Sequence, residues 1–325
     1  MTNSVSQSGL QLRLDPWPAD YESAVQFDEL SSASAQIDPA VETAEWTAIP
    51  LAASVAPRVL YFVDGVRRVE ARVLAARGGG MVHGLFGSTA VGCVRSADRQ
   101  AVIDRVMVRR FLILGAGLHQ SARLRIASCD LDFEGVSAPA RSPMELIGEL
   151  QNRMRAAEAQ LGETLLAAES CVFVDGPLHY SATEVLGMVG VVKSIYMPYL
   201  DEERFALVHS LPPGRRTPLF LIRGGKNDRY SWYLRLARGR TIDHALAGIV
   251  RLEVSAAVGL EPARELAAIA SSLLPRFASS PVRDLRAPQN LLPVGALEDE
   301  LRRRMGDPLL IRRAIEKDLH RGLAA

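Results

Sequence analysis

Val59-Leu60-Tyr61-Phe62-Val63-Asp64-Gly65 is the stretch that decides the expected fold. Five apolar residues, mostly β-branched or aromatic, run directly into an aspartate and a glycine, which is typical of a buried strand that ends at a turn. Cys171-Val172-Phe173-Val174-Asp175-Gly176 repeats this arrangement. The pattern predicts two carboxylates held at the ends of rigid strands, which is the skeleton of a metal site. The alternative is that each Asp-Gly pair only makes a turn.

A third acid lies inside a predicted helix. Ser142-Pro143 is typical of a helix start, and apolar residues recur at three- and four-residue intervals between Ile147 and Leu165. Glu158 occupies a position within this apolar stripe. A carboxylate is costly to bury there unless it is paired or binds a metal ion. We therefore consider Glu158 a candidate ligand. The alternatives are a position at the flank of the stripe, from which the carboxylate extends to solvent, and a salt bridge to Arg155 or to another arginine.

The order of these segments predicts an α/β fold. Residues 68–75 alternate polar and apolar side chains, and Gly78-Gly79-Gly80 separates them from a further strand pattern, which indicates an antiparallel three-strand meander. A helix with an inward glutamate, a strand that ends in Asp175 and late helices follow. This is the order of the RNase H-like fold, in which helices flank a mixed central sheet made of the meander and further strands.

Composition sets limits on the function. The chain has 325 residues, of which 48% are hydrophobic and 23% charged, and its net charge is +1. These values are typical of a globular protein and argue against a protein that coats nucleic acid or membrane over its whole surface. No apolar run reaches membrane-spanning length, no signal peptide is recognisable, and the three cysteines form no metal or disulfide pattern. We expect a cytoplasmic protein without a membrane partner.

The composition of the first fifty residues differs from that of the rest of the chain. Residues 1–50 are rich in Ser, Ala, Asp and Glu, and we expect an N-terminal arm or linker with one helix around residues 19–32. Residues 51–325 carry all the candidate motifs and are expected to form the main domain.

The acids and one lysine suggest phosphodiester chemistry. Several carboxylates that converge from different elements are what a pair of divalent cations about 4 Å apart requires. No P-loop, HExxH or Ser-His-Asp pattern offers a competing explanation. Lys193 is the lone cation in the apolar run 187–195. It is expected either at the solvated end of a strand or in contact with a phosphate or a carboxylate cluster.

Several stretches together indicate a family. They are Phe62–Gly65, Asn152–Glu158 followed by Val174–Leu178, Val189–Lys193 and Arg283–Pro293. In these stretches the chain resembles the NurA nucleases, DNA-repair nucleases that act with the hexameric HerA ATPase. The resemblance extends from about residue 57 to the end and implies that residues 51–325 are a NurA-like nuclease domain.

The resemblance implies a ligand set and an assembly. By it, Asp64, Glu158 and Asp175 would be ligands of Mn²⁺ or Mg²⁺, and the protein would be a homodimer. Val66 stands where the family commonly has a serine. Archaeal members end with an acid and a histidine in the last helix, whereas here Glu298 is the nearest acid and no histidine accompanies it. Asp284 and Asp299 are the alternatives for this fourth acid.

The function implied by the resemblance is that of a metal-dependent deoxyribonuclease in DNA end processing, repair or defence. DNA and a HerA-like hexameric ATPase would be its partners. Glu298 would complete the site, and Lys193 would neutralise the substrate phosphate. The alternative is a non-catalytic adaptor subunit of that ATPase that keeps the RNase H-like fold, which the change to Val66 and the absent histidine favour.

Overall fold

One large mixed sheet organises the chain in the computed structural model, which describes residues 12–14, 35–50, 57–77, 80–126, 129–167, 169–178, 187–195, 199–224 and 227–324. The strands described are β1 (Leu12–Leu14), β2 (Gln36–Asp38), β3 (Val59–Arg77), β4 (Gly80–Ala97), β5 (Gln100–Leu114), β6 (Ala122–Ile126), β7 (Cys129–Ser137), β8 (Ser170–Asp175), β9 (Met188–Val192), β10 (Phe220–Arg223), β11 (Arg229–Arg235) and β12 (Ile249–Ser255). The α-helices described are α1 (Pro143–Thr164), α2 (Glu202–Ser210), α3 (Leu260–Leu273), α4 (Leu292–Arg304) and α5 (Pro308–Ala324).

The topology of the sheet confirms the predicted fold class. Strands β3, β4 and β5 form an antiparallel meander. Strand β8 pairs in parallel with the first part of β3, and β9 pairs in parallel with β8. The resulting order β5-β4-β3-β8-β9 is that of an RNase H-like core. Beyond it the sheet continues through β12, β11 and β10 on one side and through β7 and β6 on the other.

The predicted turn at Asp64-Gly65 is wrong. Strand β3 passes straight through both residues, and Asp64 pairs with Gly92 while Gly65 pairs with Val91. The preceding residues pair with β8 on the other side as well, so ladder hydrogen bonds from two neighbours hold the segment extended. Such pairing overrides a local turn signal, because the ladders fix the backbone on both sides. The strand predicted for residues 68–75 is therefore the second half of β3.

Most other predicted elements are present. Helix α1 starts where expected, and the Ser142 hydroxyl accepts a hydrogen bond from the Glu145 backbone N–H at 3.3 Å. The sequence patterns also predict strands over residues 218–223, 231–236 and 248–255, helices over 261–274, 295–304 and 308–319, and a helix near 182–186. Strands β8 to β12 and helices α3 to α5 match predicted segments, whereas β1, β2, β6, β7 and α2 match none. The helices predicted near residues 19–32 and 182–186 lie outside the described residues. None of the described helices is long and apolar enough to cross a membrane.

Helices cover both faces of the central strands. On one face Val63 and Val174 pack with Met154 of α1. On the other face the rings of Phe62 and Phe173 stack at 5.5 Å between centroids, within the core that includes residues of α3 and α4. Because successive side chains of a strand point to opposite faces, the parity of a residue along β3 or β8 determines whether it faces α1 or α4.

The described part of the first fifty residues docks on the sheet. Strand β2 pairs with β10 at the sheet edge. The Glu42 carboxylate accepts hydrogen bonds from the Arg216 guanidinium at 2.7 and 2.8 Å and from the Leu219 backbone N–H at 2.6 Å. A buried ion pair with such additional hydrogen bonds anchors this segment firmly. The division into an arm and a main domain at residue 50 stays a prediction.

Gly65 sets how closely α1 approaches β3. A Cβ atom at this position would lie 2.6 Å from Glu158 Oε1 and 2.9 Å from Met154 Cγ. We expect Gly65→Ala to lower the free energy of unfolding by about 1–3 kcal/mol, because the helix and the strand must separate to admit the methyl group. Urea denaturation measures the effect.

Gly295→Ala is the matched control for this substitution. Gly295 lies inside α4, and its added Cβ would have no neighbour closer than 3.4 Å. We expect no loss of stability there, and a gain of up to about 1 kcal/mol from helix propensity. Equal stability of Gly65→Ala and the unaltered protein would contradict the close packing of α1 on β3.

Candidate active site

Asp64 and Asp175 lie side by side on adjacent parallel strands. The last residues in register between β3 and β8 are Val63 and Val174, and the two aspartates follow them directly. By the alternation of side chains, both aspartates lie on the face that carries Phe62 and not on the face covered by α1. Asp64 is buried at 2% exposure, whereas Asp175 ends its strand and is partly exposed.

The surroundings of Asp64 are unfavourable for its negative charge. Burial raises its pKa well above the usual value, and the charge of Asp175 raises it further; Lys193 acts in the opposite direction, and Glu158 and Glu298 add smaller increases. The Oδ2 atom of Asp64 is buried and has no hydrogen-bond partner among the described residues. The charges of the three other predicted acids therefore act on Asp64, and a cation bound beside it would be strongly stabilised.

Glu158 lies on the α1 side of the sheet, opposite the face that carries the two aspartates. It lies on α1 at 1% exposure, and its Oε1 atom lies over Gly65, whose missing side chain leaves room for it. The salt bridge considered as the alternative role is present, since Arg155 Nη1 donates to Glu158 Oε2 at 2.9 Å. The same Nη1 donates to the Asp175 carbonyl oxygen at 2.6 Å, so Arg155 links α1 to the end of β8.

Glu298 lies on α4, the helix that packs on the face of the sheet that carries Phe62. It is buried at 6% exposure, and the guanidinium of Arg286 donates two parallel hydrogen bonds to it, at 2.8 Å to Oε1 and 2.7 Å to Oε2. Arg302, one helical turn further along α4, approaches Oε2 at 3.3 Å. Glu298 is therefore held by two arginines while its charge contributes to the raised pKa of Asp64.

The two alternatives to Glu298 are placed differently. Asp284 accepts hydrogen bonds from Asn290 Nδ2 at 2.5 Å and from the Arg286 backbone N–H at 2.8 Å. Burial works against its ionisation, but these hydrogen bonds and the guanidinium of Arg286 lower its pKa to about 2. The side chain of Asp299 is 86% exposed and lies near Arg302. Of these acids, Glu298 is the one whose charge acts on Asp64.

Lys193 contacts the carboxylate cluster directly. It follows the end of β9, and its Nζ atom lies 2.7 Å from Asp175 Oδ1. The same Nζ donates to Asn290 Oδ1 at 2.8 Å. Of the two placements expected for this lysine, contact with an acid of the cluster is the one that the structure has.

The chemistry of the acids fits a divalent metal, although their arrangement is not that of an assembled metal site. Carboxylate oxygens are the ligands that Mg²⁺ and Mn²⁺ prefer, and the buried Oδ2 of Asp64 lacks a hydrogen-bond partner among the described residues. Within the same residues, however, no three His, Cys, Asp or Glu side chains converge to hold a metal ion. Glu158, Asp175 and Glu298 each contact a cation of the chain instead.

A pocket opens beside Asp175. Its volume is about 470 Å³, and it lies between the ends of β8 and β9 and the loop that precedes α4. The charged residues that line it are Arg155, Asp175, Lys193, Arg240, Asp243 and Arg286. Arg240 is paired with Asp243 at 2.8 Å, and the other cations contact the acids described above. An anionic group in this pocket would meet several cations at once.

Three residues around the site had no predicted role in it. Arg155 was considered only as a salt-bridge partner, and neither Arg286 nor Asn290 was singled out. The one available signal was the density of charged and amide side chains in Arg283-Asp284-Leu285-Arg286-Ala287-Pro288-Gln289-Asn290. The metal-binding and catalytic roles of Asp64, Glu158, Asp175, Glu298 and Lys193 stay predictions, although the structure places these residues around one site.

Comparisons with known proteins give distant structural likenesses. The NurA nuclease from Sulfolobus solfataricus is 10% identical, with 85% of this chain and 88% of that chain covered and a TM-score of 0.48. Endonuclease V from Bacillus subtilis is 12% identical, with 78% and 84% covered and a TM-score of 0.34. The catalytic domain of human endonuclease V is 16% identical, with 77% and 82% covered and a TM-score of 0.32. No protein-family model and no curated protein sequence matches the chain.

The raised pKa of Asp64 makes stability depend on pH. A carboxyl whose pKa is higher in the folded than in the unfolded state stabilises the fold below the unfolded value, and this contribution is lost as pH rises through the folded value. We therefore expect Asp64→Asn, in metal-free buffer, to be more stable than the unaltered protein at neutral and alkaline pH. The difference should shrink as pH falls towards about 4.

Urea denaturation across this pH range, with a chelator present, measures the difference. Asp299→Asn replaces an exposed acid of α4 and is expected to change stability by less than about 0.5 kcal/mol. A destabilising effect of Asp64→Asn at alkaline pH would show that the Asp64 carboxylate is favourably paired, contrary to the described surroundings.

Proposed function

We propose that the protein is a metal-dependent nuclease that hydrolyses phosphodiester bonds of DNA. The observation that carries the proposal is the placement of Asp64 and Asp175 side by side at the pairing of β3 with β8. The charges of Glu158 on α1 and Glu298 on α4 also act on Asp64. Like charges buried together are unfavourable without a counter-charge, and a divalent cation provides one. Asp64, Glu158 and Asp175 are the proposed ligands, and Glu298 is the proposed fourth acid.

Some residues of the site would bind the metal ion and others would bind the substrate. Bound Mn²⁺ or Mg²⁺ would polarise the scissile phosphate, activate a water molecule and stabilise the leaving oxygen. The rigid pairing of β3 with β8 holds Asp64 and Asp175 in fixed relative positions. Lys193 lies at the pocket beside Asp175, where its ammonium group is suited to neutralise a phosphate of the substrate.

The setting of this activity is proposed from the family resemblance. It comprises DNA end processing in repair or defence, in the cytoplasm, as a homodimer beside a HerA-like hexameric ATPase. The stretches from Phe62 to Pro293 that carry the resemblance include Asp64, Glu158, Asp175 and Lys193. Co-purification of the two proteins and the mass of the complex in solution would test the partnership.

One observation favours the alternative function, that of a non-catalytic adaptor subunit of the ATPase. In the described part of the chain the acids do not form a three-ligand metal site, and three of them contact arginine or lysine. An adaptor that has lost its metal would have its acidic site neutralised in this way. The two functions differ in whether the chain binds a divalent cation through Asp64.

The nuclease proposal predicts that Asp64→Asn abolishes metal-supported DNA cleavage. Loss of the central buried carboxylate should slow degradation of linear DNA in Mn²⁺ by roughly a hundredfold or more, because it removes a proposed ligand of the metal ion that would stabilise the transition state. The expected order of activity is the unaltered protein, then Asp299→Asn with near-equal activity, then Asp64→Asn. Release of labelled nucleotides from linear DNA measures it.

Isothermal titration calorimetry separates the two functions without relying on cleavage. A nuclease should bind Mn²⁺ with a heat that Asp64→Asn removes and that Asp299→Asn retains. An adaptor should show no such heat in either variant, and its association with the ATPase should be unchanged by Asp64→Asn. Full cleavage activity of Asp64→Asn would contradict the proposed role of Asp64 as a metal ligand.

A further inference from the structure

Arg286 combines two properties that set it apart from the other arginines of α4 and the preceding loop. Its guanidinium holds Glu298 through two hydrogen bonds, and it also lines the pocket beside Asp175. The side chain is nevertheless 54% exposed and forms part of the pocket wall. A planar guanidinium that binds a carboxylate in this parallel manner binds a phosphate in the same way.

Arg302 provides an internal comparison. It also contacts Glu298, at 3.3 Å, and its side chain is 56% exposed, almost the same as that of Arg286. Arg302 does not line the pocket, whereas Arg286 does so together with Lys193 and Arg155. The two arginines therefore share a partner and an exposure but differ in access to the space beside Asp175.

We propose that Arg286 is a phosphate-binding residue of this pocket and that Glu298 and the phosphate compete for its guanidinium. Lys193 and Arg155 complete the cationic wall, on the side of Asp175. Glu298 accepts hydrogen bonds from Nη1 and Nη2 of Arg286, the two donors that a phosphate would use. Asp284 accepts from Nε at 3.3 Å and from Nη2 at 3.2 Å and holds the other edge of the guanidinium. The inference deepens the proposed nuclease function, because it assigns the residue that would receive the nucleic-acid phosphate, but the binding step itself requires no metal.

The proposed competition predicts whether each substitution weakens or tightens phosphate binding. Removal of the guanidinium by Arg286→Gln removes a charge-assisted contact, and we expect phosphate-dependent binding to weaken by roughly tenfold. Glu298→Gln removes the charge of one of the two carboxylates that hold Arg286, while Asp284 keeps its contacts at 3.2 and 3.3 Å, and we expect binding to tighten in metal-free buffer. A misfolded variant does not bind more tightly, so the second substitution keeps the test decisive if the first lowers stability.

The probe is a short labelled thymidine oligonucleotide, titrated with the full-length protein in the presence of a chelator and followed by fluorescence anisotropy at several salt concentrations. Each phosphate contact on a single strand contributes about 0.7 to the slope of log affinity against log salt. We expect Arg286→Gln to reduce the slope by about this amount. Arg302→Gln should leave the slope unchanged, because Arg302 does not line the pocket.

Glu300→Gln controls for the loss of one negative charge. Glu300 lies two residues after Glu298 on α4 and is paired with Arg303 and Arg304, none of which lines the pocket. Tighter binding by Glu298→Gln but not by Glu300→Gln supports the competition. Equal effects of Arg286→Gln and Arg302→Gln, or equal effects of the two glutamate substitutions, would overturn it.

A second pair of probes distinguishes a terminal phosphate from an internal one as the ligand. They are the same oligonucleotide with and without a 5′-phosphate. A gain in affinity from the terminal phosphate that Arg286→Gln abolishes supports a phosphomonoester at a strand end as the ligand. Equal weakening for both probes supports an internal phosphodiester. These measurements are independent of the nuclease proposal, which fails if the unaltered protein neither binds Mn²⁺ through Asp64 nor cleaves DNA, whatever Arg286 binds.

Discussion

The parallel pairing of β3 with β8 is the constraint on which the site depends. It places Asp64 and Asp175 next to each other on one face of the sheet. Neighbouring strands lie about 4.8 Å apart, and two ionised carboxylates at about that separation repel each other by roughly 3 kcal/mol at an effective dielectric constant of about 20. The backbone fixes the two side chains together, so the surroundings must supply positive charge or one carboxyl must keep its proton.

The surrounding cations compensate only part of the negative charge of the cluster. Lys193 neutralises Asp175, Arg155 neutralises Glu158 and Arg286 neutralises Glu298, all through direct contacts. Asp64, the most central acid, has a raised pKa and a buried oxygen without a hydrogen-bond partner among the described residues. The cluster thus combines acids that are already compensated with one that is not. A site of this kind is suited to bind a cation at its centre and an anion at its edge.

Some of this arrangement was predictable because it depends on local patterns. The apolar runs that include Phe62 and Phe173 do form buried strands, and the break in the apolar stripe of α1 does mark a buried acid, Glu158. Other features depend on residues far apart in the chain. The Asp64-Gly65 turn signal failed because β4 pairs with both residues and β8 pairs with the residues directly before them. Arg251 and Glu253 form a buried ion pair. From the sequence alone they fit a salt bridge on an exposed edge strand equally well, because the sequence does not show that β12 lies between β11 and β9. The role of Arg286 depends in the same way on where α4 packs.

The long separation of β3 from β8 along the chain determines when the site forms. The hairpins β3–β4 and β4–β5 join neighbouring segments and close short loops, whereas the β3–β8 pair must enclose the whole meander, β6, β7 and α1. Contacts that close long loops carry a larger entropic cost and are slow to form. A chain still under synthesis therefore holds Asp64 without its neighbours until β8 and α4 have emerged from the ribosome. The acidic cluster is assembled only in the finished molecule.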